Sequence, residues 1–121
     1  MKLQDSGERI SYGSSSGIRE PSTGKGTFYS MPACALLRLS KHYENGGIKY
    51  GDSRNYMKGI PTSRCLDSAL RHLFKYMDGM DDEDHLSAAM FNILTIMYME
   101  LSDKYEMQDI PERNGKDIFK Y

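Results

Sequence analysis

The amino-acid sequence predicts an all-α protein, a helical bundle with an extended N-terminal arm. Residues 62–78 repeat apolar side chains at helical spacing, and residues 86–101 are apolar nearly all round. The first 31 residues are rich in Gly, Ser and charge and show no sustained period. With 121 residues, of which 39% are apolar, the chain has enough apolar residues for one core. We therefore predict an arm at residues 1–31 and one helical domain at residues 32–121.

Composition argues against nucleic-acid and membrane partners. The chain has 16 Lys and Arg against 17 Asp and Glu, so its net charge of -1 creates no global basic field. Its N-terminus lacks an apolar signal-peptide core, and no run of about 18 apolar residues is present. Cys34 and Cys65 form no CxxC pair, and each is interpreted as a small buried apolar residue inside a helix. We expect a protein of the reducing cytoplasm.

The arm contains the glycine-rich segments GSSSG and GKG, which superficially suggest a loop that holds phosphates. A P-loop requires GxxxxGK followed by Ser or Thr, placed between a strand and a helix. Here Gly26 follows Lys25 and no strand is predicted ahead of it. The arm is therefore not a P-loop, and we expect it to be extended or partly ordered.

A first core helix is predicted from Pro32 to about Asn45 or a little beyond, since Gly46 and Gly47 weaken it. Its predicted core residues are Ala35, Leu36, Leu37, Leu39, Tyr43 and Ile48. On a helical wheel Glu44 lies between the two edges of this apolar set, so its carboxylate is predicted to point inward. A buried charge costs free energy unless it is paired or binds a metal, and hard oxygen ligands suit Mg²⁺ or Mn²⁺. A buried Glu44 paired with Arg71 or Lys49 is the alternative.

Residues 49–63, KYGDSRNYMKGIPTS, are predicted to form an ordered loop because Gly and Pro punctuate them. By default, Tyr50 and Tyr56 close the end of the helix bundle. The alternative is that these aromatic rings stack on a nucleotide base while Asn55 forms hydrogen bonds with it.

A second helix is predicted to begin at a cap formed by Thr62 or Ser63 and to end at Asp78, just before Gly79. Its apolar face comprises Cys65, Leu66, Ala69, Leu70, Leu73, Phe74 and Met77. At about 100° per residue, Asp67 and Arg71 lie one turn apart at one border of this face. His72 lies near the other border.

A third helix is predicted to open with four consecutive acids, Asp81 to Asp84, which suit the positive end of a helix. Because it is apolar nearly all round as far as Leu101, we place it in the core. His85 and Asn92 share one stripe of this helix, and buried polar groups need partners. They either line an active site or are structural, with His85 bonded to a backbone carbonyl and Asn92 bridging two helices.

The acids Glu44, Asp67 and Asp84 come from three predicted helical segments that can converge, which is how helix bundles build metal sites. No HExxH motif indicates zinc, and no contiguous His-Asp pair indicates an HD-type phosphohydrolase. The polar tail after Leu101 carries Ile110, Ile118, Phe119 and Tyr121, and it is expected to dock on the bundle or on a neighbouring subunit.

Five stretches of the sequence also carry a resemblance to a known family, and they span about residues 17–101. They are GIREPSTGKG, HYENGGIKYGDSRN, KGIP, SRCLDSALRHL and DEDHLSAAMFN. The chain resembles the phage-encoded dATP/dGTP diphosphohydrolase domain, which is similar to the MazG-like all-α nucleoside triphosphate pyrophosphohydrolases. It departs from that pattern in three ways: Tyr56 stands where Trp is expected, Thr27 where a basic residue is common, and the EExxE run is absent.

The resemblance implies Mg²⁺-dependent cleavage of dGTP and dATP between the α- and β-phosphates, in the cytoplasm of the host cell. It assigns catalysis and metal binding to Glu44, Asp67 and Asp84. Its DxxxRH and DEDH motifs and the later Asn place Arg71, His72, His85 and Asn92 in the site, where we expect them to bind substrate. Positive charge suits the phosphates, so we add Lys49, Arg19 and Lys25 as phosphate contacts, and Asn55 as a contact to the base.

Two alternatives to this function stay open. One is a non-catalytic helical module of a phage that uses the same acids for helix caps and salt bridges. The other is a pyrophosphohydrolase for a different nucleotide, such as dUTP or dCTP. In either case the all-round apolar third helix needs covering from every side, so we expect a homodimer or a dimer of dimers.

Overall fold

The computed structural model describes residues 7–114 and is mostly helical. The described part holds a two-stranded hairpin, three α-helices and four short 3-10 helices. Their bounds are β1 Ile10–Ser11, β2 Ile18–Arg19, α1 Ala33–Tyr50, α2 Thr62–Met77 and α3 His85–Glu100. The chain divides into two compact units, whose described parts are residues 7–31 and residues 32–114. Each unit is considered by itself.

The N-terminal unit contains a small antiparallel hairpin. Ile10 pairs with Arg19 and Ser11 pairs with Ile18. The Ser16 hydroxyl accepts a hydrogen bond of 2.7 Å from the backbone N–H of Tyr12, which holds the turn. The prediction of an extended or partly ordered arm missed this hairpin, because strands of two residues are too short to show a period.

Helix α3 is the central helix of the second unit and contacts both α1 and α2. Its buried residues are His85, Ser87, Ala88, Ala89, Thr95 and Met99. The predicted core position of this helix is therefore confirmed. Its start differs from the prediction, because Asp84 is the N-cap and accepts a hydrogen bond from the backbone N–H of Ser87 at 3.2 Å. The other three acids precede the helix.

Helix α1 runs through Gly46 and Gly47 to Tyr50, further than predicted. Gly47 allows close packing here, because a Cβ on it would lie 3.1 Å from the Cβ of Ser53. The helix ends at Tyr50 and is capped by Gly51, whose N–H donates to the carbonyl of Gly47 at 2.8 Å and whose left-handed φ of 77° turns the chain out of the helix. Glycine destabilises the interior of a helix, and the packing of Ser53 against Gly47 offsets this cost.

The face that α1 turns to the core is formed by Leu39, His42 and Tyr43, which are half-buried. Tyr43 packs edge-on against Phe91 of α3, with ring centroids 5.0 Å apart. Glu44 is exposed, so the predictions of an inward carboxylate and of a buried Glu44 ion pair are wrong. On the helical wheel, either of two apolar edges of α1 could face the core. The edge that contains Tyr43 does so, because Tyr43 packs against Phe91.

The predicted core residues of α1 that lie away from this contact are exposed. Leu36, Leu37 and Ile48 are exposed by 41%, 68% and 77%. Cys34 at the start of α1 is exposed as well, so its interpretation as a buried residue is wrong. Cys65 of α2 is buried as predicted, and burial raises the pKa of its thiol.

The loop between α1 and α2 is ordered around Tyr56. Its ring meets Tyr43, Phe91 and Tyr98 edge-on at 5.9, 6.0 and 5.5 Å. Tyr56 therefore closes the end of the bundle, which confirms the default prediction for this residue. Tyr50 is 60% exposed and does not contribute to this closure.

Helix α2 begins at Thr62 after Pro61, and neither Thr62 nor Ser63 caps it with its own side chain. The cap comes from the tail instead. Asp109 accepts hydrogen bonds from the backbone N–H of Ser63 at 2.8 Å and from its hydroxyl at 2.5 Å. The expected docking of the tail is thus found for its described part, while Ile118, Phe119 and Tyr121 lie outside the described residues. No helix within residues 7–114 has the length and hydropathy that crossing a membrane requires.

Candidate functional site

The end of α2 and the start of α3 bring together His72, Glu83 and His85. Their potential ligand atoms all lie within 4.8 Å of one another. The two Nδ1 atoms are 3.0 Å apart, and His72 Nδ1 lies 3.9 Å from a Glu83 carboxylate oxygen. Within residues 7–114 no other group of three His, Cys, Asp or Glu side chains is close enough to hold a metal ion. We call these three residues, together with Asp82, the histidine cluster.

The hydrogen bonds of the histidine cluster define the state of both rings. His85 is 2% exposed, and its Nε2 lies 2.8 Å from a carboxylate oxygen of Asp82. A carboxylate only accepts, so Nε2 of His85 carries the hydrogen and its Nδ1 accepts from Nδ1–H of His72 when both rings are neutral. The partners of His85 are thus two side chains, not the backbone carbonyl of the structural alternative.

Electrostatics at the cluster favour a neutral His72. Burial lowers the pKa of His72, Glu83 opposes this shift, and the neighbouring charges of His85, Arg71 and Lys75 add to the lowering. The hydrogen bond from His85 lowers the pKa of Asp82. A neutral imidazole keeps one nitrogen lone pair, which can act as a base or a metal ligand.

Asp84, next in sequence to the cluster, has both carboxylate oxygens engaged. Arg38 of α1 donates to them from Nε at 2.8 Å and from a terminal nitrogen at 2.7 Å. Ser87 donates its hydroxyl to the same carboxylate at 2.7 Å. The hydrogen bond from Arg38 is the main reason that the pKa of Asp84 is far below its usual range. Asp84 therefore ties α1 to the start of α3.

A chain of polar contacts links α2 and α3 further along. Asp67 pairs with Arg71 at 3.2 Å, and Arg71 donates to the hydroxyl of Ser68 at 3.3 Å. Asn92 of α3 donates to the same hydroxyl at 3.2 Å and to the carbonyl of Ala88 at 2.9 Å. Asn92 thus bridges two helices, as the structural alternative expected. Its role in substrate binding stays a prediction.

The remaining predicted residues lie apart from the cluster contacts. Glu44, Asp67 and Asp84 do not form a metal-ligand group in the described part of the chain, and their catalytic role stays a prediction. Lys49 places its Nζ 5.1 Å from the ring centroid of Tyr50.

Asn55 begins a 3-10 helix. Arg19 lies on β2 and Lys25 pairs with Glu20, both within the N-terminal unit. The contact of Asn55 with a base and the contacts of Arg19 and Lys25 with phosphate stay predictions.

Sequence reasoning missed Arg38 and His42, which are one turn apart on α1. The ring of half-buried His42 lies 5.2 Å from that of Phe91. Burial lowers the pKa of His42, while the charges of Glu83 and Asp84 raise it. Both residues precede an apolar residue of the buried face, Leu39 or Tyr43, and this position was the available signal. It could not identify their partners Asp84 and Phe91, which are distant in sequence.

An open groove of about 680 Å³ lies along the outer side of α2. Its lining combines apolar and charged side chains, namely Asp67, Leu70, Arg71, Phe74, Lys75, Asp78 and Met80. Arg71 and Lys75 are among the charges that act on His72. His72 lies on the same helix and follows Arg71 in the sequence, but no residue of the histidine cluster lines the groove.

Comparison with known proteins identifies the family. Residues 15–109 match the family described as dATP/dGTP diphosphohydrolase, N-terminal. This match covers most of the chain and includes all of α1, α2 and α3. The chain belongs to this family. The histidine cluster lies inside the matched dATP/dGTP diphosphohydrolase N-terminal domain. No curated protein and no solved structure matched the chain.

Proposed function

We propose that the chain hydrolyses the purine deoxynucleoside triphosphates dGTP and dATP to the monophosphate and pyrophosphate, in the presence of Mg²⁺ or Mn²⁺. The observation that carries this proposal is the histidine cluster, which lies within a dATP/dGTP diphosphohydrolase N-terminal domain. Its His72 shares helix α2 with the cations Arg71 and Lys75. In the reaction water adds to the α-phosphorus, the bond to the bridging oxygen breaks, and pyrophosphate leaves. The water proton passes to a group of the cluster.

Arg71 and Lys75 are the residues we propose for the phosphates. They lie one turn apart on α2 and both line the groove. Positive charge next to the leaving pyrophosphate stabilises the negative charge that grows there in the transition state. The base would lie against Leu70 and Phe74, the apolar part of the groove, and Phe74 is 63% exposed.

The described residues form no all-oxygen cage for Mg²⁺, because the only ligand group among them contains two imidazoles. Mg²⁺ commonly takes most of its ligands from phosphates and water, with one or two protein carboxylates. We therefore propose that Mg²⁺ arrives bound to the nucleotide, as part of the substrate. There it neutralises phosphate charge and polarises water.

Within the cluster, Asp82 orients His85, and His85 in turn orients His72. Glu83 is half exposed, with 49% of its side chain open to solvent. It is therefore the carboxylate of the cluster best placed to accept a hydrogen bond from the attacking water.

The deciding experiment is a nucleotide panel with identification of the products. We expect pyrophosphate and the monophosphate from dGTP and dATP, and much less from dUTP and dCTP. Glu83→Gln should lower kcat by more than about tenfold, or about 1.4 kcal/mol, while the matched variant of exposed Asp81, Asp81→Asn, should not. Hydrolysis of dUTP or dCTP alone would contradict the purine assignment.

Two observations favour a second function, a non-catalytic helical module. Asp84 is used as a helix cap and ion-pair partner, and Asp67 pairs with Arg71. Release of no pyrophosphate from any nucleotide of the panel would support this function.

We also propose that the chain forms a homodimer or a dimer of dimers. On the outer side of α3, Met90, Ile93 and Met97 are exposed by 45%, 38% and 45%. On α2, Leu66 and Met77 are exposed by 38% and 78%. Apolar faces of this kind on a pair of helices are usually covered by another layer. With a net charge of only -1, a second copy of the chain meets little repulsion.

A further inference from the structure

The histidine cluster offers donor atoms that suit a transition metal better than Mg²⁺. It presents two imidazole nitrogens, from His72 and His85, and a carboxylate oxygen from Glu83. Imidazole suits zinc, iron, nickel and copper, whereas Mg²⁺ prefers oxygen ligands in octahedral geometry. This donor set differs from the three carboxylates that the sequence predicted.

The distances between the donors are close to those of a metal site. Zinc binds imidazole nitrogen at about 2.0–2.1 Å, and a tetrahedral angle then separates two such nitrogens by about 3.4 Å. The Nδ1 atoms of His72 and His85 are 3.0 Å apart, so the rings need to separate by about 0.4 Å. Glu83, already 3.9 Å from His72 Nδ1 and on an exposed turn, can follow by a change of rotamer.

Asp82 supplies a second and independent indication. Metal-binding histidines usually donate their other ring N–H to a carboxylate, which fixes the tautomer and the orientation of the ring. His85 makes this contact, since its Nε2–H donates to Asp82 at 2.8 Å while its Nδ1 points to His72. The buried ring of His85 is thus held with its free lone pair directed into the cluster.

We propose that Nδ1 of His72, Nδ1 of His85 and the carboxylate of Glu83 bind one divalent transition-metal ion of the zinc type, with Asp82 orienting His85. The metal replaces the hydrogen shared by the two Nδ1 atoms, and that hydrogen moves to Nε2 of His72, so both rings stay neutral. Three protein ligands leave a coordination position open to water. The proposal does not depend on nucleotide hydrolysis.

The test is a titration of the full chain, stripped of metal with a chelator, with Co²⁺ as a spectroscopic substitute for Zn²⁺. We expect one Co²⁺ per chain, with the visible absorption of a four- or five-coordinate ion that includes nitrogen ligands. Zn²⁺ should displace Co²⁺ and abolish the absorption, whereas a large excess of Mg²⁺ should not. An octahedral Co²⁺ spectrum, or displacement by Mg²⁺ as readily as by Zn²⁺, would overturn the proposal.

Asp81, Asp82 and Glu83 are exposed, so variants of these three residues test metal binding with little effect on folding. Glu83→Gln should weaken Co²⁺ binding, and its control Asp81→Asn should bind like the wild type. Asp82→Asn should weaken binding by about 10–100-fold, as loss of such an orienting carboxylate typically does. His72→Ala should abolish the nitrogen-type spectrum. Equal binding by Glu83→Gln and Asp81→Asn would remove Glu83 from the site and refute the proposed ligand set.

Metal binding and nucleotide hydrolysis can fail separately. A chain that binds one Co²⁺ but hydrolyses no nucleotide supports the metal site and contradicts the proposed function. A chain that releases pyrophosphate with Mg²⁺ yet binds no Co²⁺ overturns the metal site and leaves the function supported.

Discussion

Asp84 has two structural tasks that substitution can separate. Its side chain caps α3 by accepting from Ser87, and it accepts two hydrogen bonds from Arg38. Asn at this position keeps a side-chain oxygen for the cap but carries no charge, and Asn and Asp are equally good N-caps. Ala removes both the cap and the ion pair. The variants Asp84→Asn and Asp84→Ala therefore isolate the cap.

The size of the effect follows from these contacts. Loss of an N-cap costs about 1 kcal/mol, which lowers Tm by roughly 4–8 °C in a domain of this size. Asp84→Ala should therefore melt roughly 4–8 °C below Asp84→Asn. Asp84→Asn should melt slightly below the wild type, because the side chain of Arg38 is 56% exposed and solvent screens the ion pair.

The ion pair also predicts the pH dependence of this small difference. The pKa of Asp84 in the folded chain is lower than its unfolded value of about 3.9. Its stabilisation is therefore present at neutral pH and is lost as pH falls below about 4, towards the lowered pKa. Asp84→Asn cannot titrate, so the difference in Tm between it and the wild type should shrink in acid.

Thermal melting followed by circular dichroism, at neutral and acidic pH, measures these differences. Arg38→Gln is the matched control, since it removes the ion pair but leaves the cap, and it should behave like Asp84→Asn. Equal Tm values for the Asn and Ala variants would refute the capping argument. A difference between Asp84→Asn and the wild type that does not change with pH would refute the ion-pair argument. Loss of pyrophosphate release by a folded Asp84→Asn would support the predicted catalytic role of Asp84.

The remaining predictions concern the other acids and the assembly. Glu44→Gln should leave Tm unchanged because Glu44 is exposed, and pyrophosphate release at the wild-type rate would exclude Glu44 from the active site. Asp109→Ala should lower Tm, since it removes the cap of α2, whereas Asp103→Ala, at an exposed position of the same tail, should not. Met97→Glu should convert a dimer to a monomer in sedimentation experiments; a wild-type monomer at micromolar concentration would contradict the proposed assembly.

The sequence by itself determined the helices whose signals are local. The apolar period of residues 62–78 and Gly79 after it predicted α2 and its end, because a helix brings residues three and four apart onto one face. The apolar composition of residues 86–101 predicted that α3 lies in the core. The sequence also predicted His72 and His85 as site residues, from their positions on the two helices and from the family resemblance.

Only the tertiary structure decided which groups meet. The helical wheel of α1 left open which of two apolar edges faces the core. Tyr43 packs against Phe91, and this orientation of the helix leaves Glu44 exposed. The turn between α2 and α3 brings His72 and His85 together, so that donors 13 residues apart share one hydrogen bond. Arg38 and Asp84 are 46 residues apart, and their pairing depends on how α1 packs. Periodicity specifies the face on which a side chain lies, but its partner depends on the packing of distant segments, which no local pattern records.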